Sequence, residues 1–391
     1  MNNKIIAISK PNILSVIWIL FCSKLISLDV ISRGIVDYAL WGIVCVALCI
    51  KHKKLLCSVY SKIGRPFIIL ILLQIIGLSQ LCTTFSITNI IATICVFCFV
   101  MVNAHFKKSI QYIYIEVPFV LSLIFVIYSV YTGIDVGNTL PGCMVFMVFA
   151  FVVMELGKKD NLNIDKTSRK ISVNVICGMS LLGVVYICLK STARTALFTI
   201  PIIIATFVVL SLNEKIISKS LFWIFVIGCT ILTIAYINIR SFSWYDTINM
   251  WSDVNFGKQL DSSRAELWLT SLKELKWWQY IFGSGTGRLP TIERYKNASF
   301  HNSYIQLLMQ SGILGLGCLV IVFYRIWAVL IRYKKDRIIR LVLSVFVGIV
   351  AYNCFECTLL QNKAFLGLIE WFGLCLGFVR VRQLQSFSRE V

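Results

Sequence analysis

The sequence predicts an all-α, polytopic integral membrane protein, and three observations lead to this prediction. Apolar residues make up 58% of the 391 residues, charged residues make up only 14%, and the mean hydropathy is +0.82. Apolar runs that are long enough to cross a bilayer recur along the whole chain. These runs lack the period-two alternation of an outer-membrane barrel. We therefore expect one membrane domain that covers residues 1–391.

The apolar runs predict about twelve membrane-spanning helices. In chain order, these helices cover 12–31, 34–50, 66–85, 87–104, 112–132, 139–157, 171–189, 194–212, 219–238, 304–330, 338–360 and 364–380. One long polar segment, 238–303, separates the ninth predicted helix from the tenth.

Basic residues predict the orientation of these helices. When the N-terminus is placed in the cytoplasm, most of the 38 Lys and Arg residues fall in cytoplasmic loops, as the positive-inside rule requires. Both termini are therefore predicted to be cytoplasmic, and 238–303 faces the exterior or periplasm. Membrane topology thus accounts for most of the net charge of +20, so we expect no nucleic-acid partner.

The cysteines do not indicate a metal site. All 15 lie in or beside apolar runs, and none lies in the exported segment 238–303. The pairs Cys95/Cys98 and Cys354/Cys357 have the C-x-x-C spacing of redox or zinc sites in soluble domains. Inside apolar helices we interpret them as small packing residues. The sequence predicts no metal and no cofactor.

The polar segment contains a predicted amphipathic helix at about 264–280. Ala265, Trp268, Leu272 and Leu275 recur there at helical spacing, and charged residues occupy the other faces. Two interpretations remain open: the helix lies at the membrane surface, or it packs on the ends of the transmembrane helices. The backbone amides of the glycine-rich sequence IFGSGTGRLP that follows could cradle a phosphate. The sequence matches neither the dinucleotide nor the P-loop pattern, so we favour a plain turn.

Three side chains on the outer side are candidates for chemistry. Arg194 lies at the outer end of the predicted helix 194–212, Arg264 opens the amphipathic helix, and His301 closes the polar segment. A histidine exchanges protons near neutral pH, and an arginine suits a phosphate or diphosphate. Each residue alone has a structural alternative, namely a headgroup anchor, a solvated helix end or a helix cap. Together they predict a base beside an anion site.

These residues also form motifs that resemble a known family. His301 and Asn302 are followed by nine residues and then by Gly312 and Gly315, Ser191 to Ala196 reads S-x-x-R-x-A, and 282–287 reads FGSGTG. In these motifs the chain resembles the O-antigen ligase and O-antigen polymerase superfamily of integral membrane glycosyltransferases. The resemblance covers about 185–330. The usual S-R-G/A is absent, because Thr192, Ala193 and Thr195 surround the arginine.

The resemblance implies an enzyme of the bacterial inner membrane. Such an enzyme transfers a glycan from undecaprenyl diphosphate to a sugar hydroxyl at the periplasmic face, without a metal. His301 would be the general base, and Arg194 and Arg264 would hold the diphosphate leaving group. Asn302, Arg288 and Tyr304 are further substrate-binding candidates because they lie close in sequence to this centre.

Other residues are secondary candidates. Glu356 and Glu370 lie in the last two predicted helices, where a carboxylate needs a polar cavity or a cation such as Lys363. Both alternatives remain open for each carboxylate. Arg294 lies near the centre in sequence, and three tryptophans are candidates for stacking on sugar rings: Trp244, Trp251 and Trp277.

Several activities fit the sequence. We favour a polymerase, whose acceptor is another lipid-linked repeat unit, over a ligase, whose acceptor is lipid A–core oligosaccharide. A twelve-helix transporter or flippase is a further alternative, although the distinctive groups cluster in one outer segment. The expected partners are an undecaprenyl-diphosphate-linked glycan, an acceptor glycolipid, membrane lipids and a chain-length regulator.

Overall fold

A computed structural model describes most of the chain. The described residues are 13–26, 61–105, 113–134, 137, 139–159, 166–213, 215, 217–257, 259–292, 299–360 and 364–390. Within these ranges the regular structure is helical and contains no strand. The all-α prediction is therefore confirmed.

We number the described α-helices in chain order. They are α1 (Ile13–Ile26), α2 (Gly64–Gly77), α3 (Thr84–His105), α4 (Ile113–Tyr131), α5 (Thr139–Lys159), α6 (Lys166–Lys190), α7 (Arg194–Leu212), α8 (Lys219–Ile237), α9 (Tyr245–Phe256), α10 (Arg264–Lys273), α11 (Trp277–Phe282), α12 (Ser303–Leu330), α13 (Arg337–Tyr352) and α14 (Ala364–Glu390). The predicted helix 34–50 lies outside the described residues. Every other predicted transmembrane helix overlaps a described one.

Several of these helices have the length and composition to cross a membrane. Within the described ranges, five helical stretches meet that condition: Thr84–Met101, Thr139–Gly157, Arg194–Leu212, Lys219–Ile237 and Ser303–Tyr333. The exposed side of α8 is apolar, because Ile224, Ile227 and Ile231 are all more than half exposed. An apolar face of this kind suits contact with lipid tails.

Two helices end earlier than the apolar runs predict. Helix α2 ends at Gly77, where an added Cβ would lie 2.6 Å from Thr286 Oγ1. Thr286 Oγ1 donates to the carbonyl of Gln74, so the glycine-rich turn docks at this helix end. Helix α13 ends at Tyr352, where the side chain of the next residue, Asn353, is bound by Glu370 Oε2 and by Ser303 Oγ.

Helices α7, α13 and α14 fix the positions of Arg194 and His301, which lie at one end of the bundle. Helix α13 packs so closely on α7 that a Cβ on Gly348 would lie 2.4 Å from Ile203 Cγ1. Residues 367–378 of α14 are buried, and the ring of Trp371 lies 5.6 Å from that of Phe323 on α12. This packing brings the beginnings of α7 and α12 to the same end of the bundle as the end of α13.

The predicted helix 264–280 is in fact two helices. Helix α10 ends at Lys273, and α11 starts at Trp277 after an extended Lys276, whose N–H donates to Gln279 Oε1. Trp268 on α10 is fully buried, and its indole N–H donates to the carbonyl of Phe300 over 2.6 Å. Helix α10 therefore packs on the ends of the neighbouring helices.

The glycine-rich turn packs against a kink in α12. Gly312 inside α12 has φ 65° and ψ −171°, and a Cβ there would lie 2.1 Å from the carbonyl oxygen of Ile281. Gly283 has φ 84°, and its Cβ would lie 2.3 Å from the carbonyl oxygen of Gln310. Both positions therefore require glycine, because any side chain would collide with the facing backbone. These glycines join the turn to α12.

Candidate functional site

A cavity of about 380 Å³ lies where the ends of α7, α8, α10 and α13 meet. Its polar wall contains Arg194, Ser262, Arg264 and Glu356. The rest of its lining is largely apolar. The structure therefore brings Arg194 and Arg264, which are 70 positions apart in the sequence, into one site.

Arg194 is held by the polar segment that crosses above α7. Its Nη1 donates to Ser252 Oγ over 3.0 Å, and its Nη2 donates to the Gln259 carbonyl over 3.0 Å and to Ser262 Oγ over 2.9 Å. Neutral oxygens accept all three bonds, so the positive charge of the guanidinium is not neutralised by them. Arg194 is thus fixed in direction and remains available to an anion.

Arg264 is bound to the irregular segment that follows α13. Its Nη1 donates to the Phe355 carbonyl over 2.6 Å, and its Nη2 lies 3.1 Å from Glu356 Oε1. The side chains of Arg264 and Glu356 are only 14% and 3% exposed, so this ion pair is largely shielded from water. The pair fixes the wall of the cavity that lies opposite Arg194.

His301 lies on the other side of the same carboxylate. Its Nδ1 is 3.8 Å from Glu356 Oε2, which is within ion-pair range but beyond hydrogen-bond range. Its side chain is 41% exposed and is accessible from outside the cavity. Glu356 therefore links the imidazole of His301 to the guanidinium of Arg264.

Unusual backbone geometry is concentrated at this site. Among the described residues, four non-glycine residues have positive φ: Thr192 at 52°, Ser262 at 47°, Ser263 at 59° and His301 at 52°. Each is one of the three candidate residues or lies within two positions of one. Such conformations cost about 1–3 kcal/mol each and persist only where surrounding contacts hold them. Their clustering here is typical of a functional site.

A buried carboxylate supports the turn that leads into α10. Asp261 is fully buried, and its carboxylate accepts from Arg240 Nε over 2.9 Å and from Tyr245 Oη over 3.1 Å. Burial and the charge of Asp261 raise the pKa of Tyr245, so its hydroxyl stays protonated and donates. Asp261 thereby holds Ser262, which binds Arg194, next to Arg264.

A second polar network supports the segment that contains Glu356. Asn353 Nδ2 donates to Glu370 Oε2 over 2.7 Å, and Ser303 Oγ donates to Asn353 Oδ1 over 2.6 Å. The Ser303 N–H also donates to the Glu356 carbonyl over 3.1 Å. Glu370 therefore lies beneath the site as a structural support, whereas Glu356 lies on the cavity wall.

Asn302 is a helix cap in the structure. Its Oδ1 accepts from the N–H groups of Tyr304 and Ile305, and its Nδ2 donates to the Cys354 carbonyl over 2.7 Å. The side chain is fully buried and does not line the cavity. Asn302 thus places His301 at the beginning of α12 and ties it to the Glu356 segment, instead of facing a substrate.

Other sequence candidates lie outside the cavity. Arg288 Nη2 pairs with Glu274 Oε2 over 3.0 Å, and Tyr304 Oη donates to the Val350 carbonyl beside a different, apolar cavity. Arg294 and Lys363 lie outside the described residues. The three tryptophan candidates are exposed and do not line the cavity: Trp244, Trp251 and Trp277.

No protein-family model and no curated protein match the sequence. The cavity must therefore be interpreted from its own chemistry. Within the part of the chain that the structure describes, there is no group of three or more His, Cys, Asp or Glu residues placed to hold a metal ion. The positive charge that faces the cavity comes from the two arginines.

The cavity is suited to an anion with an apolar tail. Arg194 and Arg264 contribute two positive charges and Glu356 one negative charge, so the wall has a net positive charge. Each guanidinium has five N–H donors, and contacts with described residues use three in Arg194 and two in Arg264. The unused donors of both can bind phosphate oxygens.

Proposed function

We propose that the chain is a glycosyltransferase that acts on a lipid-linked oligosaccharide. It transfers the oligosaccharide from undecaprenyl diphosphate to a sugar hydroxyl at the periplasmic face of the bacterial inner membrane. The observation that carries this proposal is the single cavity that contains Arg194, Arg264 and Glu356, with His301 on the outer side of the carboxylate. The resemblance of the motifs around these residues supports the same activity.

The apolar lining of the cavity supports a lipid diphosphate as the donor. Ala196, Phe198 and Ile202 line the cavity along α7, below Arg194 at the helix start. Leu232 of α8 faces them from the other side. Over six residues, this wall extends about 9 Å along α7, at about 1.5 Å per residue. A diphosphate at the arginines would thus have its first isoprenoid units against these side chains.

The reaction needs one proton acceptor and a stabilised leaving group. In the proposed reaction, His301 Nε2 takes the proton of the acceptor hydroxyl, whose oxygen then bonds to the anomeric carbon as the bond from that carbon to the diphosphate oxygen breaks. Glu356 stabilises the imidazolium ion that forms. Arg194 and Arg264 stabilise the negative charge on the departing undecaprenyl diphosphate. Two fixed guanidinium charges replace the divalent cation that a diphosphate otherwise attracts.

The proposal includes the membrane topology. About twelve spans, cytoplasmic termini and a periplasmic segment 238–303 place the arginine cavity on the outer side. In support, Arg194, Arg264 and His301 lie at one end of the described helices, whereas Lys62 and Lys219 lie at the opposite end. The expected partners are the lipid-linked glycan, an acceptor glycolipid, membrane lipids and a chain-length regulator.

The acceptor distinguishes the two forms of this activity. Purified protein is incubated with undecaprenyl-diphosphate-linked repeat units, with and without lipid A–core oligosaccharide. We expect longer lipid-linked glycans without lipid A–core, which indicates a polymerase. Transfer only to lipid A–core would identify a ligase instead. Movement of the lipid-linked unit across vesicles with no new glycosidic bond would contradict the transferase proposal and indicate a flippase.

A further inference from the structure

A second cavity lies at the opposite end of the helical bundle from the arginine cavity. It has a volume of about 470 Å³ and lies beside the beginnings of α2 and α8, the end of α12 and the second half of α14. Lys219 lines it, and Tyr236 at the other end of α8 lines the arginine cavity. The helix between these residues spans about 26 Å, at about 1.5 Å per residue. This distance is close to the thickness of a hydrocarbon core, about 30 Å.

The second cavity is lined by five cationic side chains. These side chains come from four separate parts of the chain and converge on one concave surface: Lys62, Lys219, Arg325, Arg332 and Arg382. No Asp or Glu is among the described residues that line the cavity. Like charges repel one another when they are brought together in a partly desolvated space, so an anion between them lowers the free energy.

Several of these cations have no carboxylate partner among the described residues. No ion pair joins Lys62, Lys219 or Arg332 to a described carboxylate, and the Nε of Arg325 is buried without a hydrogen-bond partner. Lys62, Lys219 and Arg332 thus contribute positive charge that no described carboxylate neutralises.

Another cationic side chain near this cavity does have a carboxylate partner. Arg380, one helical turn or less from the cavity, is paired with Asp336 through a bond of 2.7 Å from Nη2 to Oδ2. Both side chains of that pair are largely buried. The protein therefore supplies a carboxylate that neutralises this buried arginine. No carboxylate of this kind lies in the described lining of the second cavity.

The apolar residues in the walls of this cavity indicate which class of anion it can bind. Ile63, Val329 and Phe378 contribute apolar surface beside the cations, and Met101 and Val381 extend that surface. A free phosphate ion would leave these walls in contact with water. An amphiphile with a phosphate head and an acyl chain satisfies both parts of the lining.

We propose that this cavity binds the phosphate head group of an anionic phospholipid in the leaflet opposite the arginine cavity. The phosphate lies among Lys219, Arg325 and Arg332, and the first methylene groups of the acyl chains lie against Val329 and Phe378. Because α8 and α12 both extend from this cavity toward the proposed catalytic end, the bound lipid also joins the ends of these two helices. Binding does not depend on transferase activity.

Native mass spectrometry of the full chain in a neutral detergent tests this proposal. The probes are dioleoyl phosphatidylglycerol, dioleoyl phosphatidylcholine and inorganic phosphate. We expect saturable binding of one phosphatidylglycerol that neither phosphatidylcholine nor inorganic phosphate displaces. Equal binding of phosphatidylcholine would overturn the proposal, and so would displacement of phosphatidylglycerol by inorganic phosphate.

Variants that remove positive charge test whether phosphatidylglycerol binds in this cavity. The double variant Arg325→Gln, Arg332→Gln should bind phosphatidylglycerol about 30-fold more weakly, which corresponds to about 1 kcal/mol for each basic side chain. The matched control is Lys335→Gln, Arg337→Gln, which removes two exposed cations at the same end, outside the cavity lining. The control should retain the affinity of the natural chain.

A charge-retaining variant excludes a folding artefact. The double variant Arg325→Lys, Arg332→Lys keeps both charges, so its affinity for phosphatidylglycerol should stay within about threefold of that of the natural chain. For comparison, a tenfold change in affinity corresponds to about 1.4 kcal/mol. If the glutamine and control variants weaken binding equally, the lipid is held by general surface charge and the proposal fails. The same conclusion follows if the glutamine variant elutes as folded protein and binds phosphatidylglycerol normally.

Discussion

Arg264 and Glu356 form a largely buried ion pair, with 3.1 Å between Nη2 and Oε1, across 92 positions of sequence. The second oxygen of Glu356 lies 3.8 Å from His301 Nδ1. One carboxylate thus contacts both a group proposed to bind the leaving group and the group proposed to accept the proton. Its charge lowers the positive potential of the cavity, and in the proposed reaction it also stabilises the imidazolium that forms. These two effects can be separated by mutation.

Replacing Glu356 with glutamine should lower turnover while preserving donor binding. In Glu356→Gln an amide oxygen still accepts from Arg264, but no negative charge stabilises the imidazolium of His301. We expect kcat to fall about 10²-fold, and the KM for the lipid-linked donor to stay the same or fall, because a negative charge leaves an anion site. Steady-state kinetics at several donor concentrations measures both.

The control for this prediction is Glu266→Gln. Glu266 is exposed and pairs with Arg240 outside the cavity. The substitution Glu266→Gln should change kcat by less than about twofold, because exposed ion pairs contribute little to stability. A rise in the donor KM together with normal kcat in Glu356→Gln would contradict the role given to Glu356.

Replacing Arg194 with lysine should impair the reaction although the charge is kept. A lysine ammonium cannot bind the Gln259 carbonyl, Ser252 and Ser262 and also present a planar pair of donors to a phosphate. We expect Arg194→Lys to lower kcat about 10²-fold in the transfer assay. Arg288→Lys is the matched control, since Arg288 lies outside the cavity. Equal activity of both variants would remove Arg194 from the mechanism.

Asp261 should be required for the stability of the polar segment. Asp261→Asn removes the charge that binds Arg240 and weakens the turn at Ser262 and Ser263. Because Arg240 is 41% exposed, we expect the free energy of unfolding to fall by about 1–3 kcal/mol, which is less than the loss for a fully buried ion pair. The thermal unfolding midpoint in detergent measures this loss. Asp253→Asn, on the exposed side of α9, should leave the midpoint unchanged.

Two of the three glycines of α12, Gly312 and Gly317, should differ in their response to alanine. Gly312 has positive φ and faces the Ile281 carbonyl, so Gly312→Ala should separate α12 from the glycine-rich turn and cost several kcal/mol, on the order of 3. Gly317, five residues later, has open space around its Cα. Gly317→Ala should be folded and active. Similar yields of folded protein for both variants would argue against the kink as a required feature.

The helices were predictable from the sequence because hydropathy is a local property. Runs such as 194–212 and 219–238 differ from the observed helices by at most one residue at either end. The exceptions depend on tertiary contacts. Helix α13 ends eight residues early because Asn353 binds Glu370 and Ser303, which are distant in sequence. Hydropathy does not detect such bonds.

The site was predictable in part. The motifs singled out Arg194 and Arg264, and the structure places both in one cavity. Glu356 was indistinguishable from Glu370 in the sequence, because the roles of both depend on where α13 ends. The N-cap role of Asn302 was available, since an asparagine that precedes an apolar run is typical of a helix start.

Helix α9 and the carboxylate of Asp261 were missed in the sequence. Gly257, with φ 61°, ends α9 and was the local signal for that helix. Asp261 gave no such signal, because its importance depends on burial against Arg240 and Tyr245. A polar segment with mixed composition does not indicate which of its carboxylates will be buried.

The central claim is that His301 is the base in a glycosyl transfer, and one measurement tests it most directly. Purified natural protein and His301→Ala are each mixed with undecaprenyl-diphosphate-linked repeat units, and the formation of longer glycans is followed over a single turnover. We predict transfer by the natural protein and a rate at least about 10²-fold lower in the variant, with unchanged donor binding. An equal rate of glycan extension in His301→Ala, at equal amounts of folded protein, would contradict the claim.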